Sequence, residues 1–202
     1  MQPEIIVLII LAAVVLIAVA VVLAVRQRSQ RLRERFGPEY ERTVEQSGGR
    51  RSAESELAAR QRRVDRLDIR PLDPEARDEF ARQWRDAQAR FVDEPAQAVA
   101  IADRLVVQVM RERGYPVEDF ERRQADISVD HPGVVQNYRA GHALSMAAQQ
   151  GRAGTEDLRQ AMVHYRSLFE DLLEGGIEEP EIVVDVGEDS DDQQRSESPR
   201  EA

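Results

Sequence analysis

The chain has 202 residues, 28 basic and 38 acidic side chains and a net charge of −10, and every basic side chain is arginine. With no lysine there is no P-loop lysine, pyridoxal Schiff base or kinase-type phosphate-binding lysine. With no cysteine there is no thiol nucleophile, thiolate zinc site, iron–sulfur cluster, disulfide or lipobox acylation.

Residues 1–4 hold Glu4 and no basic side chain. Residues 5–25 are an unbroken run of Ile, Val, Leu and Ala, and at about 1.5 Å per residue they extend roughly 32 Å as a helix, close to a hydrocarbon core. Only a helix satisfies every backbone polar group within one segment in lipid, so a transmembrane helix is predicted. A cleaved secretory signal is the competing reading, with Ala18, Val19 and Ala20 as a small-residue cleavage site. Against it stand the acidic n-region, the length of the apolar stretch and the position of those alanines inside it. Ala12, Ala20 and Ala24 give the span a small-residue face suited to self-association, although glycine is absent from it.

Arg26, Arg28, Arg31, Arg33 and Arg35 follow the span, and this one-sided basic charge predicts a short N-terminus outside and the C-terminal bulk in the cytoplasm. The same five arginines are the candidate contacts to the anionic membrane surface. The arginine-only composition, with abundant Ala and Val, is what a GC-rich coding sequence produces, and the expected location is a bacterial cytoplasmic membrane.

Residues 26–70 carry a net charge of +5 and read as a basic helical stalk. The anchor helix is expected to run to Arg35 and break at Phe36, Gly37 and Pro38. A short helix over 38–46 follows, with Tyr40 and Val44 one turn apart, and Gly48 and Gly49 interrupt it. A further helix over 52–67 has Ala53, Leu57, Val64 and Leu67 on one face. That face suits packing onto the chain's own domain; a short coiled-coil seam, giving self-association through the stalk, is the competing reading, with fewer than three heptads to support it. Ile69, Pro71 and Pro74 then make a stiff entry to the next unit.

Residues 71–176 read as a helical bundle. Asp73 as N-cap and Pro74 in the first turn start a helix whose apolar face is Phe80, Trp84, Ala87 and Phe91. Asp93 and Pro95 repeat the signal for a helix carrying Val99, Ala102, Leu105, Val106 and Val109, stopped at Gly114, Tyr115 and Pro116. A shorter helix is expected over 117–125, with Ile127 and Val129 leading out of it. Asp130 is expected to cap a helix bearing Val134, Val135, Tyr138, His142 and Met146. Thr155, Glu156 and Asp157 open the last helix, striped by Leu158, Met162, Tyr165, Leu168, Phe169 and Leu172. Residues 177–202, with a net charge of −8, are predicted to be disordered. Within them Ile182, Val183 and Val184 would suit addition to a partner's sheet edge. The fold class expected is all-α.

The segments RFGPEYERTV (35–44), GYPVEDF (114–120), SVDHP (128–132) and DLRQAMVHYR (157–166) follow an N-terminal anchor. With them the chain resembles a group of uncharacterised bacterial membrane-anchored proteins. The resemblance covers all but the tail, supports the architecture and implies no activity.

Candidate chemistry is sparse. His131, His142 and His164 lack the spacing and acidic partners of a metal site, and no metal or cofactor is predicted. Ser128, Ser145 and Ser167 sit in no nucleophile turn. The acidic bulk argues against nucleic acid. The expected function is a non-enzymatic, membrane-anchored interaction or scaffold module, with the lipid bilayer and an unidentified protein as partners. The alternative is an enzyme using Asp126, Asp130 and His131, placed in one loop, as carboxylate and histidine groups. A third reading folds the acidic tail onto the basic stalk, limited to close approach by a screening length of about 8 Å.

Overall fold

A computed structural model describes residues 3–174, which form eight α-helices in sequence. They are α1 (Pro3–Phe36), α2 (Pro38–Gln46), α3 (Arg50–Val64), α4 (Pro74–Arg90), α5 (Pro95–Glu112), α6 (Phe120–Asp130), α7 (Val135–Gln149) and α8 (Thr155–Glu174). The expected all-α class is thus observed, and the tail readings over 177–202 lie outside the described residues.

The span and its extension are one helix. α1 passes from the apolar run through the arginines without a break and ends at Phe36, where Gly37 takes φ +46°. Pro38 then restarts the chain as α2, as the pairing of a turn glycine with a first-turn proline dictates. Over Leu11–Phe36 this helix is long and apolar enough to cross a membrane, and its apolar window buries nothing against the rest of the chain.

Two cores lie on opposite faces of α6. The larger joins α4, α5, α7 and α8 around Trp84, Val106, Tyr138, Tyr165 and Phe169, with the Trp84 and Phe169 rings stacked at 4.6 Å. The smaller joins Leu32 and Phe36 of α1, Tyr40 of α2, Leu57 and Val64 of α3 and Val129 of α6. Ile127 faces the first core and Val129 the second, two residues apart and so on opposed sides of one helix. The stalk is therefore folded: α2 and α3 form a hairpin against the end of α1, and α3 rests on α6.

Helix punctuation holds at α4, where the Asp73 carboxylate accepts the Ala76 N–H at 3.0 Å and Pro74 occupies the first turn. At α5 Pro95 marks the start, but the cap position is Glu94, with no side-chain cap, rather than Asp93. The region after Gly114 differs more from expectation. The short helix predicted over 117–125 lies at Phe120–Asp130, capped by Asp119, and Ile127 and Val129 are inside it rather than beyond it. Burial on both faces keeps that stretch helical, and the break falls at His131 because Pro132 excludes α geometry from the residue before it. Asp130 consequently ends α6 and caps nothing, while α7 starts at Val135 without a side-chain cap.

Candidate functional site

The polar chemistry of the chain concentrates where α1–α3 meet the bundle. Glu39 in α2 is only 1 % exposed, and its carboxylate is held by Arg139 of α7 through two N–H donors at 2.7 Å and by Arg60 of α3 at 3.1 Å. A buried carboxylate between two guanidinium groups is the arrangement that makes burial of charge tolerable. Beside it, Arg63 of α3 donates through Nε at 2.6 Å to the fully buried Asp126 of α6. The arginines of these pairs, Arg60, Arg63 and Arg139, line an open cleft of about 1060 Å³ between α2, α3 and the start of α6, which also takes in Arg42, Glu56 and Arg122.

A second cluster ties the first turn of α1 beyond the apolar run to α2 and α3. The Glu54 carboxylate accepts from Ser29 at 2.6 Å, Tyr40 at 2.8 Å and Arg50 at 2.9 Å, and Arg50 also donates to Ser29. Burial works to raise the Glu54 carboxyl, and these three hydrogen bonds more than offset it, so the group sits below the ordinary carboxylate value.

At the far end of α6, Asp130 accepts from the Tyr115 hydroxyl at 2.8 Å and from Arg35 at 3.4 Å. Burial, followed by the Asp130 charge, pushes the Tyr115 phenol well above its usual value, so it stays a proton donor. The buried His131 bridges Arg113 and Asp171. Arginine only donates, so Nε2 is the acceptor and the Nδ1 proton faces the Asp171 carboxylate. Arg113 also reaches the Leu172 carbonyl at 3.0 Å, which pins the last turn of α8 to α5 and α6.

Asp126, Asp130 and His131 therefore do not share a loop. They occupy the second half of α6 and its C-terminal cap, and each is engaged by a different arginine: Arg63 of α3, Arg35 of α1 and Arg113 just past α5. The histidines are likewise apart. His131 follows α6 and lies off α7, the helix that carries His142; His142 stacks on Phe120 at 3.7 Å, and His164 meets Asn137 at 3.1 Å. Among the described residues no group of three or more metal-ligating side chains converges. Ser128 donates to the Ala125 carbonyl, and Ser167 accepts from Asn137.

Of the five arginines that follow the apolar run, Arg33 pairs with Glu41 at 3.3 Å, and Arg35 turns to Asp130 and Asp65. Arg26, Arg28 and Arg31 are exposed. Glu39, Arg60 and Arg139, the centre of the junction, carried no sequence signal as a set, because 100 residues separate Glu39 from Arg139. No family model, curated protein or solved structure matches the chain, so the site rests on its own chemistry.

Proposed function

We propose that the chain is a single-pass protein of the bacterial cytoplasmic membrane whose helical domain, on the cytoplasmic side, is a non-enzymatic interaction or scaffold module for a protein partner. The observation that carries this reading is the contrast along α1. Its apolar window is wholly unburied, while Ser29, Leu32 and Phe36 at its end are among the most buried residues of the domain. Exposed apolar surface costs about 25 cal/mol per Å² in water, and a bilayer removes that cost for a helix of this length. Both cores are already filled by the chain's own side chains, so nothing in the domain needs the apolar window for stability.

The side of the membrane follows from Arg26, Arg28 and Arg31 beyond the span. The polar groups of the junction support a holding role, since Arg60, Arg63 and Arg139, which line the cleft, are each engaged by a carboxylate from another helix.

Alkaline carbonate extraction with a reporter fused after Ala202 tests the placement. The expected result is a carbonate-resistant chain with a reporter active only as a cytoplasmic fusion. A carbonate-soluble chain, or a fusion active outside the membrane, overturns it. Crosslinking of the full-length chain in membranes tests the role: a stoichiometric protein partner is expected, and a bound small molecule in its place overturns it.

A further inference from the structure

Between α1 and α3 runs a groove of about 740 Å³ that begins at Ala24 and Gln27, where the apolar run ends. Its walls carry Arg28, Arg31 and Arg35 from α1 and Arg62 from α3, with Asp65 as the one acidic lining residue. Arg35 is drawn to Asp65 and Asp130. Arg28, Arg31 and Arg62 have no ion-pair partner among the described residues. Other exposed arginines, such as Arg77, Arg85 and Arg104, also lack a carboxylate partner among those residues, but these three converge on one groove, where their charge is concentrated.

Depth identifies that partner. Arg28 and Arg31 lie about 4 and 9 Å beyond Val25 along the helix axis. The polar layer of a leaflet is about 5–8 Å thick outside the hydrocarbon core. The two arginines therefore sit at and just below the phosphates. α3 runs in the same direction as α1, since Glu54 meets Ser29 near its start and Asp65 approaches Arg35 at its end. Arg62 accordingly closes the groove on the side away from the bilayer. The small side chains of Ala24 and Ala58 leave the groove open between the two helices.

We infer that this groove seats the phosphate headgroup of an anionic phospholipid of the cytoplasmic leaflet, held by Arg28, Arg31 and Arg62. The inference rests on the membrane placement proposed above. Arg62 is what distinguishes a headgroup seat from a mere topological signal, because it follows the span by far more than the roughly 15–20 residues over which flanking charge orients a helix. The chain's own acidic residues 177–202 are the rival occupant. The groove opens at the edge of the apolar run, where lipid is always present.

The test uses the full-length chain in mixed micelles of phosphatidylglycerol and phosphatidylcholine, with retained lipid read by native mass spectrometry. The native chain is expected to retain phosphatidylglycerol preferentially, and Arg62→Gln to lower that retention about fivefold, the effect of one arginine near a lipid surface. Arg66→Gln removes the same charge just past α3, outside the groove, and is expected to leave retention unchanged. Equal losses in both variants, equal retention of the two lipids, or displacement by millimolar inorganic phosphate each overturn the inference. So does phosphatidylglycerol retention that appears only when Glu178, Glu179 and Glu181 are changed to Gln, which would give the groove to the acidic segment. Carbonate extraction separates the two levels: a carbonate-soluble chain fails the membrane placement itself, and a carbonate-resistant chain with charge-indifferent retention fails only the groove.

Discussion

Replacing Glu39 by alanine removes the one carboxylate that Arg60 and Arg139 share. The Arg60 and Arg139 side chains are only 12 % and 14 % exposed, so two guanidinium groups would be left largely dry beside a cavity. Breaking a buried ion pair from one side costs about 3–5 kcal/mol. Arg60 keeps Glu56, and Arg139 keeps Gln124, which places the expected loss at the lower end, about 3 kcal/mol. For a domain of this size that corresponds to a fall in Tm of about 6–12 °C. Thermal unfolding of the full-length chain in detergent, followed by fluorescence, reads it directly. The reporter is Trp84, the sole tryptophan, which lies in the larger core away from α2. Glu79→Ala is the control: its pairing with Arg82 is more than half exposed on both sides, and its loss should leave the Tm essentially unchanged. A second variant, Glu39→Met with Arg139→Met, removes the charges together and should recover most of the loss. A Glu39→Ala loss below about 1 kcal/mol would refute the reasoning. A helix-melting transition that separates from the Trp84 signal would refute the coupling of the two cores.

Two further outcomes are expected. Gly114→Ala should destabilise the chain by about 2 kcal/mol, because Gly114 sits at φ +97° and a Cβ there would strike the Asp68 carbonyl oxygen; an unchanged denaturation midpoint would mean that the 68–70 segment is not packed on the end of α5. Glu54 has a depressed folded pKa, so its stabilising contribution is complete above the ordinary carboxylate value near about 4.3 and is lost as pH falls through the lower folded value; Glu54→Gln should therefore flatten the acid side of the Tm-versus-pH curve below about pH 5, and an identical acid slope in both proteins would remove the role assigned to its hydrogen bonds.

The helices were legible wherever one face is apolar and the ends carry their own punctuation. The stripe of Leu158, Met162, Tyr165 and Leu172 is buried as its spacing requires, and Gly37 with Pro38 breaks the chain where the backbone chemistry demands. Local signals misled at α6. Asp130 and Pro132 look like a cap and a first-turn proline, and only the burial of Ile127 and Val129 on opposite faces keeps the chain helical up to Asp130. The junction itself was illegible because it is polar and nonlocal. Periodicity locates apolar faces, and it says nothing of which arginine from three helices will meet Glu39. The α1–α3 groove was half legible: Arg28 and Arg31 form an i, i+3 stripe, while the facing Arg62 depends on how the hairpin folds back.

In the membrane placement proposed above, the path of α1 sets what kind of anchor it makes. A flexible tether supplies only an effective concentration that falls with its length. Here the span continues as helix for 11 residues past Val25, and Ser29, Leu32 and Phe36 in that extension are buried. No disordered linker intervenes, so the height of the domain above the bilayer follows from about 1.5 Å of rise per residue rather than from chain statistics. Ion pairs then fix its rotation about that helix: Arg35 to Asp130 joins α1 to α6, and Glu39 to Arg139 joins α2 to α7. Buried pairs contribute little net stability over apolar side chains, but they penalise every other register by leaving charges unpaired. The junction thus spends its chemistry on orientation, which suits the proposed role of holding one face of the domain at a fixed height for a partner at the membrane.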